Sequence, residues 1–198
     1  MGQQISTISS MIGCSDPNTI HFINNAQEIN CIMLGKSSSG KTTILYKLFM
    51  NEIIKFPPTH GFHKENLQHR GYQFSIFDLG GEDLNEWKQY IEGKDVLIFV
   101  VDFFDSNTIQ ESSNLLHKVM KQREMENTLL IVYANKFDLI ENRNLITEEE
   151  IEKKLELKEI KQNYKLLKTR IDSKENYLEA FDWILETVKT NYQKEKQN

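Results

Sequence analysis

An apolar stretch, INCIML, passes through GKSSSGKT, Gly35 to Thr42, into the helical pattern TILYKLF. This junction restricts the fold more than any other segment. A short apolar run bounded by glycine reads as a buried strand, and the spacing beyond Lys41 predicts a helix to about Asn51. The segment between them fits G-x-x-x-x-G-K-[ST], whose required setting is a strand before and a helix after. Glycine lets the backbone curl until successive N–H groups converge, and the helix N-terminus adds partial positive charge. Gly35, Lys36, Ser37, Ser38, Ser39, Gly40, Lys41, Thr42 and Thr43 are therefore candidate ligands of a nucleoside triphosphate. Lys41 would reach the outer phosphates, and the Thr42 hydroxyl would ligate Mg²⁺.

The rest of the chain alternates strands with helices. GFHKENLQ and YQFSIFD read as two strands joined near HRG, a hairpin. DVLIFVVD (Asp95–Asp102) and TLLIVYAN (Thr128–Asn135) are near-continuous apolar runs, as in strands covered on both faces. Helices are expected over Ser106–Arg123, Thr147–Leu155 and Ser173 to about Tyr192, with a last strand at Tyr164–Thr169. In the last helix Leu178, Phe181, Ile184, Leu185 and Val188 form the apolar stripe. The expected class is α/β, a mostly parallel six-stranded sheet with helices on both faces. Residues 1–27 read as an N-terminal segment and linker, 28–191 as one domain, and 192–198 as a solvated tail. The net charge of −5 argues against a nucleic-acid partner. Two cysteines, Cys14 and Cys31, have neither metal-like spacing nor the look of a disulfide scaffold, which points to a reducing compartment. No run reaches the ~18 apolar residues of a membrane span, and the N-terminus lacks the pattern of a signal peptide. A cytoplasmic protein is expected.

NKFD, Asn135 to Asp138, closes a buried strand. A carboxylate at Asp138 would accept from guanine N1–H and the exocyclic amine, a donor pair that adenine lacks. Such charged hydrogen bonds contribute roughly 1.5–3 kcal/mol each, enough to select the base. Asn135 and the stem of Lys136 would brace this loop and cover the ring. FDLGG, Phe77 to Gly81, adds Asp78 as a holder of Mg²⁺ through water, with the Gly80 and Gly81 backbone close to the outermost phosphate. Thr59 in PPTHGF reads either as a loop threonine or as a second magnesium ligand. A kinase using ATP on the same phosphate loop is a competing reading, against which NKFD speaks.

Together these residues resemble the ADP-ribosylation-factor (Arf/Arf-like) family of small GTPases over nearly the whole chain. GKTTILYKL, PTHGF, FDLGG, LIFVVD, ANKFDL and AFDWI are similar to the family's wording. The resemblance implies a P-loop small GTPase fold and a GTP/GDP and Mg²⁺ site. It implies Thr59 as a switch ligand of the metal, and an effector surface at Phe62, Phe77 and Tyr90. It also implies a switch in vesicle trafficking, cycling between cytosol and the cytosolic face of an internal membrane. In the base loop near KTRIDSK, the Ile171 amide takes the place of the family's alanine amide. Beta subunits of the signal-recognition-particle receptor and heterotrimeric Gα subunits share some wording. The first carry a spanning helix and the second a large helical insert, and this chain has neither.

MGQQIS fits M-G-x-x-x-[ST], so Gly2 is a candidate for myristate. Ile5, Ile8, Met11 and Ile12 fall on one helical face. A single acyl chain holds a membrane only marginally, and no Lys or Arg precedes Lys36 to help it. The apolar helix face, or acylation of Cys14, must supply the second signal. The linker that follows is longer than the family's.

Glu82 departs from the family, which has glutamine there. Two charges ~4 Å apart repel by about 4 kcal/mol at an effective dielectric of 20. Loss of one donor aimed at developing charge costs about 10²–10³ in rate. Glu82, Lys41 and Thr59 are the candidate catalytic residues, and slow GTP hydrolysis is expected. Two alternatives stand beside it: a Glu82 protonated by its surroundings that donates as glutamine does, and a non-hydrolysing GTP-binding scaffold. The second switch, Glu82 to Tyr90, is also shorter than the family's.

Overall fold

The computed structural model describes residues 28–50, 61–80, 84–141 and 146–195, the side chains of 191–195 excepted. Six strands are β1 (Glu28–Leu34), β2 (Phe62–His69), β3 (Tyr72–Leu79), β4 (Val96–Asp102), β5 (Leu129–Asn135) and β6 (Tyr164–Lys168). The described helices are α1 (Lys41–Met50), α2 (Leu84–Ile91), α3 (Ser106–Met120), α4 (Glu148–Lys154) and α5 (Lys174–Glu195). The sheet order is β2-β3-β1-β4-β5-β6. Among the described residues, β2 and β3 run antiparallel and the other pairs are parallel. This is the expected α/β architecture.

Strand alternation sorts the apolar runs into two cores. Ile32, Leu34, Leu97, Phe99 and Val101 face one side, with Trp87 and Ile91 of α2 and Leu116 and Val119 of α3. Cys31, Met33, Ile98, Val100, Ile131 and Tyr133 face the other, with Ile44, Leu45 and Leu48 of α1 and Phe181 and Ile184 of α5. Each such side chain, fully buried, stabilises the fold by roughly 1.5–3 kcal/mol. The hairpin turns at Arg70 and Gly71, with φ 48° and 83°. Positive φ at both central residues matches the twist of the flanking strands, and it sets His69 against Tyr72.

Three elements differ from the sequence expectation. Helix α2 falls in a segment read only as a switch; it buries just Trp87 and Ile91, too few positions for a periodic signal. Helix α3 stops at Met120, and Arg123–Met125 forms a separate 3₁₀ turn. The buried stripe of α5 is rotated toward Tyr177 and Ala180, whereas Leu178 and Val188 are only partly covered. At the helix starts, Asp105 accepts from the Asn107 amide and caps α3, and Thr147 accepts from the Glu150 amide and caps α4. These bonds satisfy N–H groups that have no partner within the helix. Among the described residues, no helix is long and apolar enough to cross a membrane.

Candidate functional site

The phosphate loop leaves the end of β1 and enters α1, so its amides sit at the C-terminal edge of the parallel strands. Gly35 has φ +144°, and a Cβ there would lie 2.2 Å from the Val100 carbonyl oxygen of β4. Gly40 has φ +103°, and its Cβ would lie 2.4 Å from Asn135 Nδ2. Both glycines are required by close approach as well as by conformation. Ser38 takes the left-handed region, φ 62°. Ser37 and Ser38 are exposed, Ser39 is buried, and Thr43 is half-buried in the first turn of α1. Lys41 Nζ donates to the carbonyls of Gly35, at 2.8 Å, and Lys36, at 3.1 Å. The ammonium is thus held over the hollow of the loop. Lys36 itself pairs with Glu111 of α3.

Across the sheet, Asp78 at the end of β3 accepts from the Thr42 hydroxyl at 2.6 Å. Its other oxygen, Oδ1, is buried and without a hydrogen-bond partner among the described residues. Burial pushes the Asp78 carboxyl up from its ordinary range, and Thr42 and Lys41 pull it back down. A carboxylate and a hydroxyl brought together beside a lysine fit a hard cation that binds oxygen. No cluster of three or more His, Cys, Asp or Glu exists among the described residues. Thr42, with Asp78 through water, would hold Mg²⁺ beside the phosphates. The Gly80 amide is tied to the Gly61 carbonyl at 2.9 Å, so the ends of β2 and β3 stay joined beside this pair.

The base loop follows β5. Asn135 Nδ2 donates to the Ser39 carbonyl at 2.9 Å, a direct strut between the two loops. Asn135 Oδ1 lies 3.2 Å from Thr169 Oγ1 and 3.4 Å from the Tyr177 hydroxyl. Lys136 is left-handed, φ 64°, and its ammonium pairs with Asp102 Oδ2 at 2.5 Å. Asp102 Oδ1 also accepts from the amides of Phe104 and Asp105. The Phe137 amide donates to the Thr169 carbonyl at 3.2 Å, so the turn holding Arg170, Ile171 and Asp172 stands next to the base loop. Arg170 grips Asp172 with two donors, at 3.0 and 2.5 Å. That pairing raises the already basic guanidinium further, and Asp138 adds to the effect. Asp138 and Ile171 are thus placed in one neighbourhood.

The aromatic surface is assembled as well. Phe62, 48% exposed, lies 6.2 Å from Phe77 and 5.4 Å from Tyr90 between ring centroids. Lys64 and Lys94 stand over the Phe77 ring at 5.1 and 4.4 Å. Gly2, Cys14, Thr59, Gly81 and Glu82 lie outside the described residues. Sequence reading missed Thr169, Tyr177 and Asp102 as parts of the site. For Asp102 a signal existed, an acid closing the strand next to that of NKFD; for the two hydroxyls there was none.

The model of the ADP-ribosylation factor family matches residues 18–188. A solved structure of the Arl6 BBS3 small GTPase from Trypanosoma brucei, with a bound nucleotide analogue, GppNp, superposes with a TM-score of 0.72. It is 22% identical, covering 83% of this chain and 99% of that one, a likeness of fold. With the family model spanning most of its length, this chain belongs to the ADP-ribosylation factor family of small GTPases, whose members bind GTP and GDP with Mg²⁺.

Proposed function

We propose that the chain is a GDP/GTP switch of membrane surfaces, acting in vesicle trafficking with weak intrinsic hydrolysis. The observation that carries the nucleotide part is the 2.9 Å bond from Asn135 to the Ser39 carbonyl. It fixes the base-reading loop on the phosphate loop, so one ligand spanning both is selected by its base and by its phosphates together. Lys41 exchanges the Gly35 and Lys36 carbonyls for phosphate oxygens. Thr42 and Asp78 would hold Mg²⁺, whose charge would offset that of the phosphates. Asp138 accepts from guanine, and the Ile171 amide donates to the base oxygen. Glu82, when ionised, accepts from the attacking water but cannot donate to the phosphate, which supports slow turnover. Thr59 would add a second protein ligand to Mg²⁺ when the outermost phosphate is present. Phe62, Phe77 and Tyr90 form the surface offered to effectors. Myristate on Gly2 and the apolar N-terminal face supply membrane attachment, released or withdrawn with nucleotide state by differential contacts.

The test is competition for one fluorescent guanine nucleotide with Mg²⁺ present, followed by pelleting of GTP-loaded and GDP-loaded myristoylated protein with liposomes. GTP is expected to displace the probe at concentrations where ATP does not, and the GTP form is expected to pellet more. Equal displacement by ATP would remove the guanine switch. Equal pelleting would remove the membrane cycle and leave the nucleotide site standing.

A further inference from the structure

Asn135 must hold its side-chain amide one way round. With Nδ2 toward the Ser39 carbonyl the strut forms; reversed, two oxygens would face each other. What fixes the orientation is the donor supply at Oδ1. Thr169 Oγ1 has one proton, and three acceptors compete for it: the Ala134 carbonyl at 3.3 Å, Asn135 Oδ1 at 3.2 Å and the oxygen of the Tyr177 hydroxyl. Bonding Ala134 leaves Oδ1 unserved in a buried site, where an unmatched acceptor is costly.

A second donor comes from far along the chain. Tyr177, in the first turns of α5, is fully buried, and its hydroxyl lies 3.4 Å from Asn135 Oδ1. Burial, then the charges of Asp138 and Asp172, push this hydroxyl far above its ordinary range, so it keeps its proton. An amide oxygen can only accept, which sets the direction of the bond. Tyr177 is itself held: the Tyr133 hydroxyl donates to the Tyr177 carbonyl at 2.8 Å, and the two rings meet edge to face at 5.5 Å. The line from α5 to the phosphate loop is therefore continuous: Tyr177, Asn135, Ser39.

We propose that Tyr177 is a positioning residue for the nucleotide site: its hydroxyl orients the Asn135 amide that braces the phosphate loop, and helix α5 thereby sets how long nucleotide stays bound. This rests on the reading that the loop holds a guanine nucleotide.

The experiment measures release of a fluorescent GDP, chased with excess GDP in Mg²⁺ buffer, from full-length protein. Tyr177→Phe deletes the hydroxyl and keeps the ring. Release is expected to quicken about two- to fivefold, the lower part of the range for one lost hydrogen bond, because the bond is long at 3.4 Å. Tyr177→Met, a second variant of different shape, is expected to quicken it as well. Ser113→Ala removes an equally buried hydroxyl, bonded to the Leu155 carbonyl away from the site, and is expected to leave release unchanged. A merely structural role is separated by a double-mutant cycle: with Asn135→Ala already in place, Tyr177→Phe is expected to add nothing. Wild-type release from either folded Tyr177 variant, or full additivity with Asn135→Ala, would overturn the proposal. A wild-type protein that binds no guanosine nucleotide would instead overturn the function on which it rests.

Discussion

Gly35→Ala isolates the geometry that builds the phosphate loop. The added Cβ would meet the Val100 carbonyl oxygen at 2.2 Å, with the carbonyl carbon and Ser39 Oγ each at 3.2 Å. Van der Waals contact between carbons begins at roughly 3.5 Å. The obstacle is backbone in the middle of β4, where Val100 is paired with Tyr133 of β5, so it cannot step aside without disturbing the central ladder. Strain from the φ of +144° is of order 1–3 kcal/mol, and overpacking adds about 1–3 kcal/mol. Gly71 supplies the matched control. Its φ is +83°, and its Cβ would meet nothing within 4 Å, so Gly71→Ala carries only the first cost. The two variants should differ by about 2 kcal/mol. At a typical urea slope near 2 kcal/mol/M, that is a midpoint about 1 M lower for Gly35→Ala. Urea unfolding, followed by far-UV circular dichroism without nucleotide, removes ligand linkage from the comparison. Equal midpoints for the two variants would show that the β4 carbonyl yields and that the close approach does not dictate glycine.

Asp78→Asn should make the nucleotide-free protein more resistant to urea at pH 7 while weakening Mg²⁺-dependent nucleotide binding. The folded carboxyl titrates above its ordinary value because it is buried, so the native state binds the proton more readily than the unfolded chain. Its burden on stability is full above the folded pKa and is relieved as pH falls through that value toward the unfolded one. The advantage of the asparagine variant should therefore shrink on acidification; a variant no more stable than wild type at pH 7 would contradict this. Glu82→Gln should hydrolyse bound GTP faster in a single turnover at pH 7.5, since the amide both accepts and donates. A glutamine variant no faster than wild type would end the account of Glu82, and a wild-type rate climbing toward pH 5 would favour the protonated carboxyl.

The parts of this molecule that were legible in its sequence are those whose cause is local. GKSSSGKT sits between a strand and a helix because two glycines and a lysine must act on one turn of backbone, and Arg70-Gly71 turns because adjacent residues share a positive φ. The burial of β4 and β5 was legible because each strand is apolar throughout, whichever face is considered. Tyr177 was not legible. It lies 42 positions from Asn135 in the chain and takes part only because α5 is rotated toward Tyr177 and Ala180, a choice made by tertiary packing against Tyr133 and Phe74. Periodicity alone fits a stripe through Leu178 and Val188 equally well, since a helix of 3.6 residues per turn lets neighbouring stripes overlap. Helix α2 escaped for a related reason: Trp87 is buried and donates to the Gly80 carbonyl at 3.0 Å, a single anchor beside a loop rather than a pattern. Motifs therefore located the groups that touch nucleotide, while the groups that hold those motifs in place are written only in the packing. In this chain that second set converges on one amide, Asn135, which receives support from Thr169, just past the end of β6, and from α5 through Tyr177, and passes it to the phosphate loop.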